Sequence, residues 1–144
     1  MNIQYPIITT YLMLNGRCEE AIEFYGHALD AKVETLLRFK DYPGTPQPGM
    51  VPPGMENKIM HSSLRIGGAM VMASDGRCDG GTTKHEGFGL ALSVKDTAEA
   101  DRYFNALLDG GSVVMPQSET FYSPRFGMVT DKFGILWMVM VLPA

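Results

Sequence analysis

Few side chains in this sequence have both the type and the spacing to do chemistry, and His61 is the first of them. It lies in the run 59–66, IMHSSLRI. Strand alternation there puts His61, Ser63 and Arg65 on one face and Met60, Ser62, Leu64 and Ile66 on the other. His61 reads either as a structural hydrogen-bond partner near a loop end, or as a ligand contact or general base, because imidazole changes charge near neutral pH. The second cluster is 116–126, PQSETFYSPRF. Glu119 and Arg125 either pair with each other, or Glu119 meets a ligand while Phe121, Tyr122 and Trp137 offer flat apolar walls; Trp137 also reads as a core residue. His27, on the polar side of a helix, and His85, in the glycine-rich turn 79–87, read as solvated.

The common catalytic signatures are missing. The chain has no GxSxG, no HExxH and no phosphate-binding GxxxxGK[ST]. Cys18 and Cys78 are far apart with no CxxC partner, so both read as free thiols in a reducing compartment. Net charge is −4 and the basic residues are scattered, which speaks against nucleic acid as a partner. No segment reaches the roughly 18–20 apolar residues of a membrane span. The opening MNIQYPIITTYLMLNG lacks the basic start and cleavage site of a signal peptide, so the expected location is cytoplasmic. At 144 residues, 45% hydrophobic and 19% charged, the expectation is a single domain spanning residues 1–144.

The elements that must position these residues come in two copies. Apolar residues at helical spacing predict one helix over 17–29 and another over 97–108. Asp96 and Glu99 form a capping-box pattern ahead of the second, and Gly110–Gly111 is its natural stop. Glu20, Ala21, Leu29 and Asp30 recur 79 positions later as Glu99, Ala100, Leu108 and Asp109. The pair Phe24–Tyr25 recurs as Tyr103–Phe104. Strands are predicted before each helix (8–14 and 88–94) and after it (33–39, 59–66, 69–74; 112–116, 126–130, 136–142). Tight turns at Gly67–Gly68 and around Lys132–Gly134 close the last hairpin of each set. Aligning Gly68 on Gly134 gives an offset of 66, so the second copy is 13 residues shorter between its second and third strands. The difference falls in 41–58, DYPGTPQPGMVPPGMENK, a proline- and glycine-rich loop that reads as a lid or as an insertion. Each copy is therefore β-α-β-β-β, over about 5–75 and 86–144 with a linker at 76–85. The predicted class is α+β, tandem βαβββ modules forming a curved mixed-sheet cup.

A duplicated βαβββ module with this aromatic helix and a D-x-F-G-x-x-W hairpin at Asp131–Trp137 resembles the vicinal oxygen chelate superfamily. That superfamily comprises the glyoxalases, bleomycin-resistance proteins and extradiol dioxygenases. Leu14-Asn15-Gly16, Glu20–Tyr25, Ile59–His61, Leu64–Gly67, Met72–Asp75, Glu119–Phe121, Phe126–Gly127 and Thr130–Gly134 resemble its PhnB-like branch, often labelled 3-demethylubiquinone-9 3-methyltransferase. The label's methyl transfer is not carried over, because no glycine-rich turn opens a doubly wound sheet here. Metal-dependent members take ligands from the first and last strand of each module. Counting back from the helices gives Thr10 and Gly89, and the offset of 66 gives Met72 and Met138. None supplies imidazole or carboxylate, and a slip of one residue, to Thr9, Tyr11, Phe88, Leu90, Val71, Ala73, Trp137 or Val139, supplies no good ligand either. No metal and no cofactor are expected.

Three functions remain open. The first is small-molecule binding in the cup, with Leu12, Ser63, Arg65, Met70, Met72, Met138 and Met140 lining it beside Phe121, Tyr122, Arg125 and Trp137. The second is an enzyme with non-standard residues, His61 and Glu119. The third is a structural or assembly module. The resemblance also implies a homodimer.

Overall fold

The computed structural model describes residues 3–49, 51, 53–76 and 83–143. Cys78 and part of the linker expected at 76–85 lie outside the described residues. The chain divides into two compact units, Met1–Gly26 with Asp30–Thr83, and His27–Leu29 with Lys84–Ala144.

In the first unit, β1 (Thr10–Met13) leads to helix α1 (Cys18–Leu29), then β2 (Lys32–Arg38), β3 (Ile59–Ile66) and β4 (Ala69–Ser74). The four-stranded sheet has the order β1-β4-β3-β2, with β1 parallel to β4 and the other pairs antiparallel. Alternation decides its faces. Leu12, Ala73 and Ser62 share register on one face, as do Val71 and Leu64, and all five are buried. Cys18 of α1 lies against this face, its Sγ 3.9 Å from the Ser62 hydroxyl. The buried carboxylate of Asp75 ties helix to sheet by accepting the N–H groups of Cys18 (2.8 Å) and Ile59 (2.7 Å). That satisfies one of the donors a helix start leaves without an internal partner. Helix α1 ends at Asp30, in the left-handed conformation.

The long loop departs from a closed stem. Phe39–Asp41 forms a single 3-10 turn, and the N–H groups of Phe39 and Lys40 donate to the carbonyls of Lys58 and Glu56. The Arg38 guanidinium donates to Asn57 O (2.7 Å) and to the Glu19 carboxylate (2.8 Å and 3.1 Å). Lys58 Nζ reaches Gly16 O at 2.9 Å. The base of the expected insertion is thus fastened to both the helix and the turn before it.

The second unit repeats the plan with β5 (Leu90–Val94), α2 (Thr97–Leu108), β6 (Ser112–Thr120), β7 (Ser123–Thr130) and β8 (Leu136–Val141), in the order β5-β8-β7-β6. The Asp96 carboxylate caps α2 by accepting the Glu99 N–H at 2.8 Å. The capping box is only half formed, because the Glu99 carboxylate accepts from the Lys95 N–H, not from that of Asp96. Gly110 takes the left-handed conformation expected of a helix stop (φ 78°). Trp137, Val139, Val141 and Val129 alternate onto a buried face. That face belongs to α2: a side chain at Gly127, in register with Val139, would strike the Phe104 ring.

Two parts of this unit depart from expectation. Strand β6 runs on through Pro116 to Thr120 with several bulges, and pairs with β7 from Ser123 onwards. Proline is tolerated there because β6 is an edge strand. The polar and aromatic stretch 116–126 is therefore mostly hairpin, with Phe121–Tyr122 as its tip. The offset between the copies also changes along the chain. Thr10 beside Val71 corresponds to Leu90 beside Trp137, an offset of 80 in the first strands against 79 in the helices. The extra residue of the first copy sits in Asn15–Gly16, both with positive φ (40° and 91°).

Candidate functional site

The one-residue difference moves the site. Thr10 pairs with Val71 on the face that α1 covers, so the first-strand position facing away from the helix is Tyr11, beside Met72. A shift of one residue exchanges the faces of a strand. In the second unit the equivalent pair is Ala91 beside Met138, not Gly89.

On the first unit's face away from α1, register brings Tyr11, Met72, Ser63 and Thr35 into one row, with His61 and Leu37 in the next. The Tyr11 hydroxyl lies 3.0 Å from His61 Nδ1, and the two rings are 5.6 Å apart at 30°. Tyr11 is 38% exposed, His61 half-buried and Ser63 buried. Among the described residues His61 Nε2 has no hydrogen-bond partner. If the phenol donates to Nδ1, the neutral ring carries its proton on Nε2 and offers an N–H to a ligand oxygen. If Nδ1–H donates to the phenol, Nε2 offers a lone pair instead.

Arg65, further along the same strand, is engaged with Glu34 at 2.6 Å. Their mutual hydrogen bond holds the Glu34 carboxyl below its usual range and the Arg65 guanidinium above its own. Leu12 belongs to the core and not to a binding surface, at 2% exposure on the helix-covered face.

The expected site residues of the second unit separate in the same way. Met138 and Met140 alternate onto the face away from α2 and are half-buried. Trp137 is not a wall of that surface: it is 3% exposed on the helix-covered face, and its Nε1–H donates to Asp131 Oδ2 at 2.9 Å. Asp131 is itself buried and also accepts the N–H groups of Phe133 and Ile135. Arg125 pairs with Asp101 of α2 at 2.9 Å rather than with Glu119, which is exposed on β6. Phe121 is fully exposed at the hairpin tip, edge-on to Tyr122, and Tyr122 in turn meets Phe126. His61 and Glu119 belong to different units.

Neither register pair suits a divalent cation. Tyr11 with Met72 offers a phenol and a thioether, and Ala91 with Met138 a methyl group and a thioether, where such an ion takes imidazole or carboxylate. Among the described residues no group of three or more His, Cys, Asp or Glu side chains could hold a metal ion. No helix among them is long and apolar enough to cross a membrane.

Comparison with known proteins agrees with the architecture. Protein YjdN of Escherichia coli strain K12 is 34% identical over 140 residues, covering 94% of this chain and 95% of its own. The crystal structure of protein PA1353 from Pseudomonas aeruginosa matches with a TM-score of 0.82 at 40% identity, over 96% of this chain and 98% of the other. A putative 3-demethylubiquinone-9 3-methyltransferase, PhnB protein, from Bacillus cereus matches with a TM-score of 0.75 at 27% identity, over 93% and 98%. At the level of fold alone, a glyoxylase/bleomycin resistance protein/dioxygenase domain from Frankia matches with a TM-score of 0.61 at 17% identity, over 98% and 94%. The α+β fold of paired βαβββ modules is that of the glyoxalase and bleomycin-resistance proteins. The family model described as 3-demethylubiquinone-9 3-methyltransferase matches residues 6–140, and the chain belongs to that PhnB-like family.

Proposed function

We propose that this protein binds a small organic molecule bearing an acceptor oxygen, on the first unit's sheet face away from α1, without the usual metal centre of its superfamily. One observation carries the reading. The Tyr11–His61 pair holds an imidazole half-buried beside Ser63 and the Met72 thioether, with no hydrogen-bond partner on Nε2 among the described residues. A few placed polar groups among apolar neighbours are the usual make-up of a small-molecule site. The methyl transfer in the family's description draws no support from the architecture. Both sheets are mixed and four-stranded, and neither βα connection is a glycine-rich turn at the switch point of a parallel sheet. The same Tyr11–His61 pair also favours a second reading, an enzyme in which His61 acts as general base with Glu119 as a further acid or base. In either case we take the protein to be a cytoplasmic homodimer. Edge strand β1 and the segment before it expose Ile7, Ile8 and Met13, apolar surface of the kind association covers.

The test is a thermal-shift screen of small carbonyl and carboxylate compounds on the wild type, His61→Ala and Tyr11→Phe. A true ligand at about 100 times its Kd stabilises by about 2.7 kcal/mol. For a chain of this length that is a rise of roughly 8 °C. His61→Ala should weaken the hit at least about tenfold, the scale of a buried hydrogen bond. Hits that bind His61→Ala as well as wild type reject the site. Stoichiometric zinc, nickel, manganese or iron in the purified protein rejects the metal-free reading, and ligand turnover seen by NMR selects the enzyme over the binder.

A further inference from the structure

His85 is not simply solvated. It is half-buried and edge-on to Phe88, with the ring centres 6.5 Å apart. Together with Glu86, Gly87, Phe88, Val114 of β6, Thr130 of β7, Gly134, and Leu136 of β8, it lines a cleft of about 500 Å³. Thr130 and Leu136 are register partners at the β7–β8 turn, so the cleft lies at that end of the second unit's sheet. Its volume falls inside the range of about 300–1,000 Å³ that small-molecule sites occupy.

We propose that this cleft is a binding site for a small aromatic amine in its ammonium form. The lining decides the charge. Among the described residues Glu86 is the one carboxylate that lines it, and no lysine or arginine does. An anion would meet the Glu86 carboxylate, whereas an ammonium gains both the Glu86 charge and the Phe88 ring. Lys84 sits 3.6 Å from Glu86, but the two side chains are 79% and 71% exposed. Exposed pairs of that kind contribute little and yield readily to a ligand. The body of the ligand is set by Phe88, Val114 and Leu136, which present ring and branched aliphatic surface to an aromatic group. The Thr130 hydroxyl and His85 imidazole are the remaining polar contacts. The proposal uses residues of the second unit alone and stands or falls separately from the reading of Tyr11 and His61.

The experiment is an amide-shift NMR titration of the full chain with benzylamine, benzyl alcohol and benzoate, three ligands of one size and different charge. Benzylamine should shift the amides of Gly87, Gly134 and Leu136 with a Kd of about a millimolar, as expected for so few atoms. Benzyl alcohol should bind about three- to fivefold more weakly, the scale of one exposed charge interaction, and benzoate more weakly still. Glu86→Gln should erase the preference for amine over alcohol. Val114→Trp, at a position 54% exposed, should fill the cleft and abolish the shifts for all three. Should Val114→Trp fail to fold, Glu86→Gln carries the test alone, since it changes only a surface carboxylate. Benzoate binding as tightly as benzylamine, shifts confined to other residues, no shift at about ten millimolar, or an amine preference that survives Glu86→Gln would each overturn the proposal.

Discussion

Asp131 and Trp137 should behave as one energetic unit, and a double-mutant cycle measures it. The Asp131 carboxylate is 2% exposed and accepts three donors: Phe133 N–H at 2.9 Å, Ile135 N–H at 3.0 Å and Trp137 Nε1–H at 2.9 Å. Asp131→Asn keeps one oxygen for the two backbone donors but turns an NH2 group towards the indole N–H. Two charge-assisted bonds become neutral, one is lost, and two donors are left facing each other in a buried site. At about 1–3 kcal/mol for each such loss, the expected cost is about 3–5 kcal/mol. Trp137→Phe leaves a void and strips the carboxylate of one partner, costing about 2–4 kcal/mol.

In the double variant the opposed donors are gone, so its cost should fall short of the sum by about 1–2 kcal/mol. Thermal and urea unfolding by far-ultraviolet circular dichroism suit the cycle, because Trp137 is the protein's one tryptophan and fluorescence disappears with it. Asp131→Asn alone should lower Tm by roughly 10–15 °C. Additivity within about 0.5 kcal/mol would refute the reasoning. So would a Trp137→Phe variant as stable as wild type that had lost ligand binding, since that would put the indole in a site and not in the core.

Two further outcomes follow from local geometry. Glu19 is held below the usual carboxylate range chiefly by its hydrogen bonds with Arg38, against a smaller opposing effect of burial. A depressed carboxylate stabilises above its ordinary value and loses that contribution as pH falls through the folded one. The stability gap between wild type and Glu19→Gln should therefore be constant at pH values above the ordinary carboxylate range and close as pH falls through the lowered folded value. Glu19 is 59% exposed, so the gap should stay below about 1 kcal/mol. A gap that does not narrow in urea unfolding as pH is lowered below the ordinary carboxylate range would contradict this. Gly111→Ala should be among the most damaging single-methyl changes, at about 2–3 kcal/mol or more, because a Cβ there would overlap the Thr130 carbonyl. Urea midpoints read this directly, and Gly68→Ala, with open space around it, serves as the mild control.

Much of the scaffold was legible because its signals are local. Helix α2 and strands β3 and β4 have the predicted bounds, since alternation, the Asp96 cap and Gly110 each act within a few residues. Strand β6 was cut short at Pro116 because a proline is a barrier only where its N–H is needed, and on an edge strand it is not. The Phe121–Tyr122 tip carries no glycine, proline or asparagine to announce a turn, so the hairpin it joins read as a loop. By residue type Leu12 reads as a ligand wall and Trp137 as either wall or core; pairing with β4 and β5 puts both on buried faces that lie under helices.

The site depended on something the repeat could not supply alone. An offset counted from the helical aromatic pairs is right for the helices, but Asn15–Gly16 absorbs one extra residue ahead of α1. In a helix that error would turn a side chain by about 100°, leaving it near its face. In a strand it reverses the side chain, which is why the count lands on Thr10 and reaches Tyr11 only as the neighbour a one-residue slip would give. The information was present in a weaker form. Tyr11 and Met13 are the polar-tolerant alternates to Leu12, and a parallel partner of β4 must put one of those sets beside Met72. The same register that corrected a would-be ligand from threonine to tyrosine also set that tyrosine against His61. The first- and last-strand positions of the first unit thus carry a phenol and a thioether, and His61 of the neighbouring β3 is hydrogen-bonded to that phenol. On that chemistry the proposed binding of an organic oxygen rests.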